Sequence, residues 1–298
     1  MTTLRWRQLF FILWVTILGG TGCGLALPQA NTNTTAPATR PTVTALDSTE
    51  PISTYLPVVI TSEHTIWQPA PGTSWQWQLS GSIDTSFAVQ MYDIDLFDTP
   101  QSVIDQLHAG GRVVICYFSA GSWEDWRADA TDFPASVLGN QLDGWPDEKW
   151  LDIRQLDILG PLMQARLDLA VQKQCDGVEP DNVDGYTNNS GFPLTAANQL
   201  AYNIWLAEQA HSRGLSIGLK NDLGQIPQLV SYFDWALNEQ CFEYTECDAL
   251  TPFVDAGKAV FGVEYNLETS AFCSQANTRN FDWLKKNLVL DAARTACR

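Results

Sequence analysis

Apolar and polar positions follow two alternating patterns along residues 65–298. Short apolar or alternating runs predict eight strands, at 75–79, 88–94, 112–118, 177–181, 216–220, 234–238, 259–265 and 283–290. Segments with helical spacing follow several of them, at 100–109, 196–213, 225–232 and 250–256. Gly110, Gly111 and Gly214 come just before strands, where helices commonly end on glycine. Strands that alternate with helices in this way predict a parallel sheet covered by helices.

The number of strands favours a closed (β/α)8 barrel, the TIM barrel, over an open doubly wound sheet. No GxGxxG follows any predicted strand, which weakens the dinucleotide-binding alternative. Segment 80–87, between the first two strands, is too short for a helix. We therefore expect a barrel that lacks the helix between strands 1 and 2.

The N-terminal segment differs in composition from the rest of the chain. Residues 1–23 have two arginines, an apolar run and then small residues, which is the plan of a secretory signal peptide. LGGTGC at 18–23 loosely resembles a bacterial lipoprotein signal, so Cys23 is a candidate lipidation site, with simple cleavage nearby as the alternative. Residues 24–64 are rich in Thr, Pro and Asn and predict a disordered linker. Residues 65–298 are then the barrel domain.

The chain is strongly acidic, with 34 Asp and Glu against 17 Lys and Arg and a net charge of −17. Such a surface repels nucleic acid and anionic membranes and attracts cations. We expect no nucleic-acid partner, a membrane contact only through a lipid anchor, and a monomer. Solubility outside the cell accounts for much of the charge, and a polycationic ligand is the more specific hypothesis.

Six cysteines follow the candidate lipidation site, and an exported protein can form disulfides. Cys241 and Cys247 lie close together in CFEYTEC, and Cys273 and Cys297 bracket the final segment. We predict these two pairs. An extracellular or cell-surface location is expected from the signal segment.

The remaining cysteines and the histidines form no metal site or nucleophile pair in the predicted fold. Cys116 lies within an apolar strand and Cys175 just before one, so we interpret both as buried free thiols, and no CxxC pair is present. His64 lies at the linker boundary, and His108 and His211 lie in predicted helices. A Ser-His-Asp triad or a histidine-rich metal site therefore lacks its imidazole. We expect no metal and no cofactor, which leaves carboxylates for proton transfer.

The predicted strands end in polar residues, and in a (β/α)8 barrel the active site lies at these ends. A single acid there is commonly a turn or cap residue, but acids from several strands at one rim are harder to explain in that way. A pair of carboxylates is the usual equipment for glycoside hydrolysis. Alternation places Glu179 and Asp181 on one face of the fourth strand, whereas the direction of Glu239 on the sixth stays open.

Five motifs occur in order along the chain: YDID (92–95), VICYFSAGSWE (114–124), DGVEPDNVDGY (176–186), LKND (219–222) and NEQC (238–241). Together they resemble glycoside hydrolase family 114, the endo-α-1,4-polygalactosaminidase-like proteins, over about residues 70–298. The resemblance implies a (β/α)8 barrel that cleaves α-1,4-linked galactosamine-containing polymers, such as microbial exopolysaccharide.

The resemblance also implies roles for particular residues. The family's catalytic pair matches Asp181, as nucleophile or charge stabiliser, and Glu239, as general acid/base. The other rim residues would bind sugar, namely Asp93, Tyr117, Glu179, Asn182, Lys220, Asn221, Glu264 and Tyr265. Deacetylated galactosamine is cationic, so an acidic cleft would attract it.

Two rival functions can be stated on the same barrel. A polysaccharide-binding surface lipoprotein that has lost turnover predicts that one carboxylate of the pair is missing, and both are present. A metal-dependent hydrolase would require a bound metal. The leading hypothesis is therefore a secreted or lipid-tethered glycosidase.

Overall fold

Eight parallel strands form the central sheet of residues 65–298, the part of the chain that the computed structural model describes. The strands in chain order are β1 (Trp75–Gln78), β2 (Met91–Asp95), β3 (Val113–Ser119), β4 (Ser122–Glu124), β5 (Leu138–Leu142), β6 (Trp145–Leu151), β7 (Gly177–Asp181), β8 (Ser216–Lys220), β9 (Trp235–Glu239), β10 (Val260–Glu264), β11 (Asp282–Lys286) and β12 (Arg294–Ala296). The signal segment, the linker and Cys23 are predictions that lie outside the described residues.

The parallel strands are neighbours in the order β1-β2-β3-β7-β8-β9-β10-β11, and β12 adds antiparallel to β11. The ends of this order come together where Trp75 Nε1 donates to the carbonyl oxygen of Asp282 at 2.9 Å. Helices lie between the strands, at α1 (Gln101–Ala109), α2 (Leu156–Gln172), α3 (Ala196–His211), α4 (Ile226–Leu229), α5 (Cys241–Tyr244), α6 (Thr251–Asp255) and α7 (Thr269–Thr278). This is a (β/α)8 barrel, and the prediction of the fold class is confirmed.

The described chain has no helix between β1 and β2, in agreement with the short segment there. Local signals explain the bounds of the long helices. Thr195 and Asn198 form a reciprocal capping box at the start of α3, and α1 ends before Gly110 and the left-handed Gly111. Among the described residues no helix has the length and apolarity needed to cross a bilayer.

Residues 119–176 contain structure that the sequence pattern did not predict. Strands β4, β6 and β5 form a separate antiparallel sheet, which we call the small sheet, and α2 follows it. Gly160 and Pro161 interrupt the helical signal within α2. The small sheet stands at the C-terminal end of the barrel strands, where Leu151 N bonds to the carbonyl oxygen of Gly121.

Two layers of apolar side chains hold the barrel together. The interior layer combines aromatic and aliphatic side chains, and Gly218 leaves room in it, since a Cβ there would collide with the ring of Trp235. The outer layer lies between the strands and the helices. Members of the interior layer, such as Ile115 on β3 and Leu237 on β9, identify which face of each strand points inward.

Three disulfides link the described cysteines. The predicted pairs Cys241–Cys247 and Cys273–Cys297 are present. The interpretation of Cys116 and Cys175 as free thiols was wrong, because these two residues are bonded to each other. Their bond joins β3 to the residues just before β7, which is its neighbour in the sheet.

Removal of the Cys116–Cys175 disulfide by alanine at both positions should lower the free energy of unfolding by about 4 kcal/mol, because its long loop strongly restricts the unfolded chain. The bond spans 59 residues of sequence, against 6 for Cys241–Cys247. The corresponding loss for Cys241 and Cys247 is about 2 kcal/mol. Denaturant unfolding of the two oxidised double variants measures both, and equal losses would contradict this ranking.

Candidate active site

A single lysine lies among three carboxylates at the C-terminal end of the barrel. Lys220 Nζ is 3.0 Å from Asp181, 3.2 Å from Glu179 and 3.3 Å from Glu239. The side chain is 1% exposed, and its ammonium lies 4.7 Å from the ring centre of Trp77. Burial alone would lower the pKa of Lys220, but the surrounding carboxylates raise it well above its usual value. The lysine is therefore a fixed positive charge.

Strand alternation explains how these groups meet. Asp181 and Glu179 share the inward face of β7, and Lys220 follows Gly218 on the inward face of β8. The face of β9 that the sequence left open is settled by Leu237, an interior residue, which places Glu239 inward as well. Three consecutive strands thus direct charged side chains to one point.

Hydrogen-bond donors converge on Asp181. Its Oδ1 accepts from Lys220 Nζ at 3.0 Å and from the backbone N–H of Asn182 at 2.8 Å, and its Oδ2 accepts from the Tyr117 hydroxyl at 3.2 Å. These donors stabilise negative charge on this carboxylate. Burial raises the pKa of Tyr117 well above its usual value, so its hydroxyl remains a donor.

Glu239 has a separate set of partners. The Tyr265 hydroxyl donates to Oε1 at 2.5 Å, and Asn221 Nδ2 donates to Oε2 at 3.2 Å. Asn221 Oδ1 in turn accepts from Asn238 Nδ2 and from the backbone N–H of Glu239. The position of this carboxylate is therefore fixed from the ends of three strands.

The backbone turns sharply after each of these rim residues. Asn182, Asn221 and Gln240 follow Asp181, Lys220 and Glu239, and all three have left-handed φ values, of 61°, 50° and 65°. Such values are uncommon outside glycine, and asparagine tolerates them best. Conformations of this kind concentrate at functional sites.

A cleft of about 970 Å³ opens above these groups. The small sheet supplies one wall, and the segments around Ser80, Asn188 and Leu288 supply others. Trp126 and Trp145 line it and are both 50% exposed, as large apolar platforms. The cleft is large enough for several sugar units and has an acidic floor.

The small sheet is fixed to the barrel by a buried arginine. Arg127 donates to both oxygens of Asp95, at the end of β2, and to both oxygens of Glu124 on β4. These two acids of the cleft wall thus have their counter-ion within the protein.

Glu148 on β6 is different, because no lysine or arginine of the described chain pairs with it. It lines the cleft, is 7% exposed, and its Oε2 accepts from Ser122 Oγ at 2.7 Å. Burial raises the pKa of Glu148 to about 7, and burial likewise raises the pKa of Asp184, in the segment after β7, to about 6. The cleft therefore holds acids that lack a cationic partner.

The structure brings most of the predicted site residues to this cleft. Its lining includes Tyr117, Asp181, Asn182, Lys220, Asn221, Glu239 and Tyr265. Asp93, Glu179 and Glu264 are fully buried and outside the lining, so direct sugar contact is not supported for them. Asp93 and Glu179 lie beneath the floor. Glu264 occupies the outward face of β10, where it accepts a hydrogen bond from the backbone N–H of Phe242.

Sequence reasoning missed the residues that support or surround the charged floor. Trp77 Nε1 donates to Glu179 Oε2 at 3.0 Å, and its place on the inward face of β1 could have been read from strand alternation. Asp184 lies in the motif at 176–186, three residues after Asp181, whereas Glu148 and Trp145 carry no comparable signal, because nothing local shows which loops reach the cleft. No group of His, Cys, Asp and Glu within residues 65–298 is arranged to hold a metal ion.

Fold and site together define a class: a (β/α)8 barrel with carboxylates at the C-terminal ends of its strands, as in glycoside hydrolases. The chain belongs to glycoside-hydrolase family GH114, whose profile matches residues 59–298. A comparison with curated proteins found no match.

Two solved structures are similar to this chain. Ega3 from Aspergillus fumigatus, crystallised in complex with galactosamine, is 44% identical, with a TM-score of 0.75 over 78% of this chain and 98% of that one. The glycoside hydrolase domain of PelA from Pseudomonas aeruginosa is 12% identical, with a TM-score of 0.62 over 76% of this chain and 99% of that one. The second likeness shows the fold alone.

Replacement of Lys220 by methionine should lower the free energy of unfolding at pH 7 by about 3–5 kcal/mol, because it leaves buried carboxylates without their cation. Burial already raises the pKa of Glu179 to about 7 against the lowering effect of Lys220, so without the lysine this pKa rises further and more stability is lost as the pH rises. The loss should therefore shrink between pH 7 and pH 5 in thermal unfolding.

Lys286→Met is the matched control for this prediction. Lys286 is also buried and donates to the carbonyl oxygen of Asp291, and burial lowers its pKa to about 8. The change in stability that Lys286→Met causes should be the same at pH 7 and pH 5, because Lys286 is protonated at both. A Lys220→Met loss of equal size at the two pH values would contradict the prediction.

Proposed function

We propose that this chain hydrolyses a polysaccharide that contains α-1,4-linked galactosamine, with Asp181 and Glu239 as the catalytic carboxylates. One observation carries the proposal: both carboxylates contact Lys220 Nζ on the floor of the cleft, at 3.0 and 3.3 Å. Both are partly exposed there, whereas the third partner of the lysine, Glu179, is fully buried. Substrate in the cleft can reach only the first two.

The shared lysine also limits the distance between the pair. The two oxygens that it contacts can be at most 6.3 Å apart, because they lie 3.0 and 3.3 Å from the same nitrogen. Carboxyl groups about 5–5.5 Å apart act by double displacement with retention, and those about 6.5–9.5 Å apart by inversion. The geometry therefore favours a retaining mechanism.

The hydrogen bonds support a division of roles. Asp181 accepts from three donors, which suits a nucleophile that is to remain anionic while positive charge develops on the sugar. Glu239 is held by Tyr265 and Asn221 at the more exposed position. It is placed to give a proton to the leaving oxygen and later to take one from water.

The walls of the cleft support a cationic substrate. Glu148 and Asp184 line it without a basic partner in the described chain, so an ammonium group would supply the missing counter-ion. The 44% identical Ega3 was crystallised with galactosamine, a sugar that carries such a group. Trp126 and Trp145 offer exposed rings on which sugar units can stack.

The three disulfides support an exported protein, since such bonds persist in oxidising compartments. Our proposal therefore includes secretion through residues 1–23, a linker at 24–64, and action outside the cell or at its surface. Lipid attachment at Cys23 is part of the proposal as the means of tethering.

Asp181→Asn and Glu239→Gln should each reduce hydrolysis of an α-1,4-galactosamine polymer by at least about a hundredfold, the scale of a lost acid/base or nucleophile. Both replacements keep side-chain volume and a hydrogen-bond acceptor, so the thermal midpoint should stay near that of the wild type. Product analysis by mass spectrometry, with polymers of graded acetylation, measures the rate.

Glu264→Gln is the control, because it removes a buried carboxyl on the outward face of β10. It should retain hydrolysis within a few-fold. Release of oligosaccharides at full rate by both Asp181→Asn and Glu239→Gln would show that the pair is wrongly assigned. A wild-type protein that binds the polymer and never cleaves it would favour the binding-protein alternative.

Glu148→Gln should lower kcat/KM for deacetylated polymer by about tenfold, the scale of one charge-assisted hydrogen bond. The rate on fully acetylated polymer should be unchanged, because an N-acetyl group offers no positive charge to this carboxylate. Comparison of the two substrates with one variant separates recognition from catalysis. Equal losses on both would indicate that Glu148 does not select the amine.

A further inference from the structure

Two carboxyl groups lie buried beneath the floor of the cleft without adequate partners. Asp93 on β2 and Glu179 on β7 are both fully buried. Neither oxygen of Asp93 has a hydrogen-bond partner among the described side chains, and the same holds for Glu179 Oε1. That oxygen is 3.2 Å from Lys220 Nζ, although not in hydrogen-bonding geometry, and Oε2 accepts from Trp77 Nε1. Among the described residues, the one hydrogen bond open to Asp93 is with Glu179, and it forms only when one of the two carboxyls carries a proton.

Two ionised acids cannot both be accommodated here. Together with Asp181 they would place three negative charges around one ammonium group even when Glu239 carries the proton of the general acid, and an unpaired buried charge is strongly unfavourable. A single proton between Asp93 and Glu179 removes the conflict, because one carboxyl then donates to the other. Neighbouring carboxyls in other proteins share a proton for the same reason.

We propose that Asp93 and Glu179 share one proton in the working enzyme and act as a positioning pair that holds Lys220 between Asp181 and Glu239. This inference rests on the proposed function, because the positioning of Lys220 matters for turnover only if Asp181 and Glu239 are the catalytic carboxylates. With one proton the pair carries one negative charge, which balances the lysine from below. Asp181 then keeps its own negative charge for the sugar.

The groups that face the pair are consistent with this charge state. Lys220 comes from β8 and Asp181 from the end of β7, while Trp77 on β1 contributes only an N–H. Burial raises the pKa of Asp93 well above its usual value, and the charge of Glu179 raises it further. Burial also raises the pKa of Glu179 to about 7, against the lowering effect of Lys220.

Two amide replacements, one at each acid, test whether the position of the negative charge matters. In Asp93→Asn the amide takes the place of the shared proton, and the negative charge remains on Glu179, beside the lysine. In Glu179→Gln the charge moves to Asp93, away from Lys220. Both variants keep volume, total charge and a donor between the two positions, so they differ chiefly in where the charge lies.

Positioning through Lys220 predicts unequal effects on turnover. Asp93→Asn keeps the negative charge beside the lysine and should therefore lower kcat less than Glu179→Gln does. Glu179→Gln should lower kcat at least tenfold with KM within threefold, because the lysine then pairs only with Asp181 and Glu239 and weakens the nucleophile. Equal kcat values in the two variants would overturn the positioning role.

Thermal unfolding from pH 5 to pH 8 tests the shared proton without any substrate. The folded-state pKa values are raised above the ordinary values of about 4, so wild-type stability is lost as the pH rises through this window. Asp93→Asn has no such proton to lose. Its midpoint should rise relative to the wild type by about 5 °C or more between pH 5 and pH 8. A constant difference across this range would overturn the shared proton.

The two measurements also separate this inference from the proposed function. If the wild type cleaves no galactosamine polymer, the proposed function fails and the positioning role fails with it, whereas the unfolding series still decides whether the proton is shared. If the wild type cleaves the polymer and Glu179→Gln matches Asp93→Asn in kcat, only the positioning role fails.

Discussion

The active end of this barrel depends on one ammonium group. Lys220 on β8 is buried and contacts carboxylates from the two strands that flank β8, which are β7 and β9. It also contacts the ring of Trp77 from β1. A buried cation is stable only when well-placed acceptors surround it, so these strands must keep their register. A slip by one residue would turn the charged side chains to the outer face and place apolar ones at the rim.

The same constraint explains why the barrel and the small sheet have different tasks. The barrel strands direct the charged groups inward, and the small sheet shapes the space above them. Close packing at the junction fixes the sheet, since a Cβ at Gly121 would collide with the carbonyl oxygen of Asn182. Arg127 joins Asp95 of the barrel to Glu124 of the sheet. The wall of the cleft is therefore rigidly placed over the floor.

Local sequence patterns could predict the part of this structure that depends on residues close together in the sequence. Strand alternation and the order of polar strand ends gave the barrel and most of the rim. Strand alternation could also have separated Glu264, on the outward face of β10, from Tyr265, the next residue, which lines the cleft. The Cys116–Cys175 bond was missed because it depends on the pairing of β3 with β7, and a sequence separation of 59 residues gives no local sign of that pairing. The role of Glu148 likewise depends on where β6 folds back.

In the absence of a cationic substrate, bound protons reduce the negative charge of the acids in the cleft wall. Burial raises the pKa of Glu148 to about 7 and that of Asp184 to about 6, so near neutral pH both acids exchange protons readily. In the proposed function an ammonium group would replace such a proton and leave each carboxylate paired. Substrate binding would then supply charge to the walls and leave the floor unchanged, because Lys220 already balances it. In the proposed function, an internal cation that stays in place and an external one that exchanges would let the site bind amino sugars without disturbing the proposed catalytic pair.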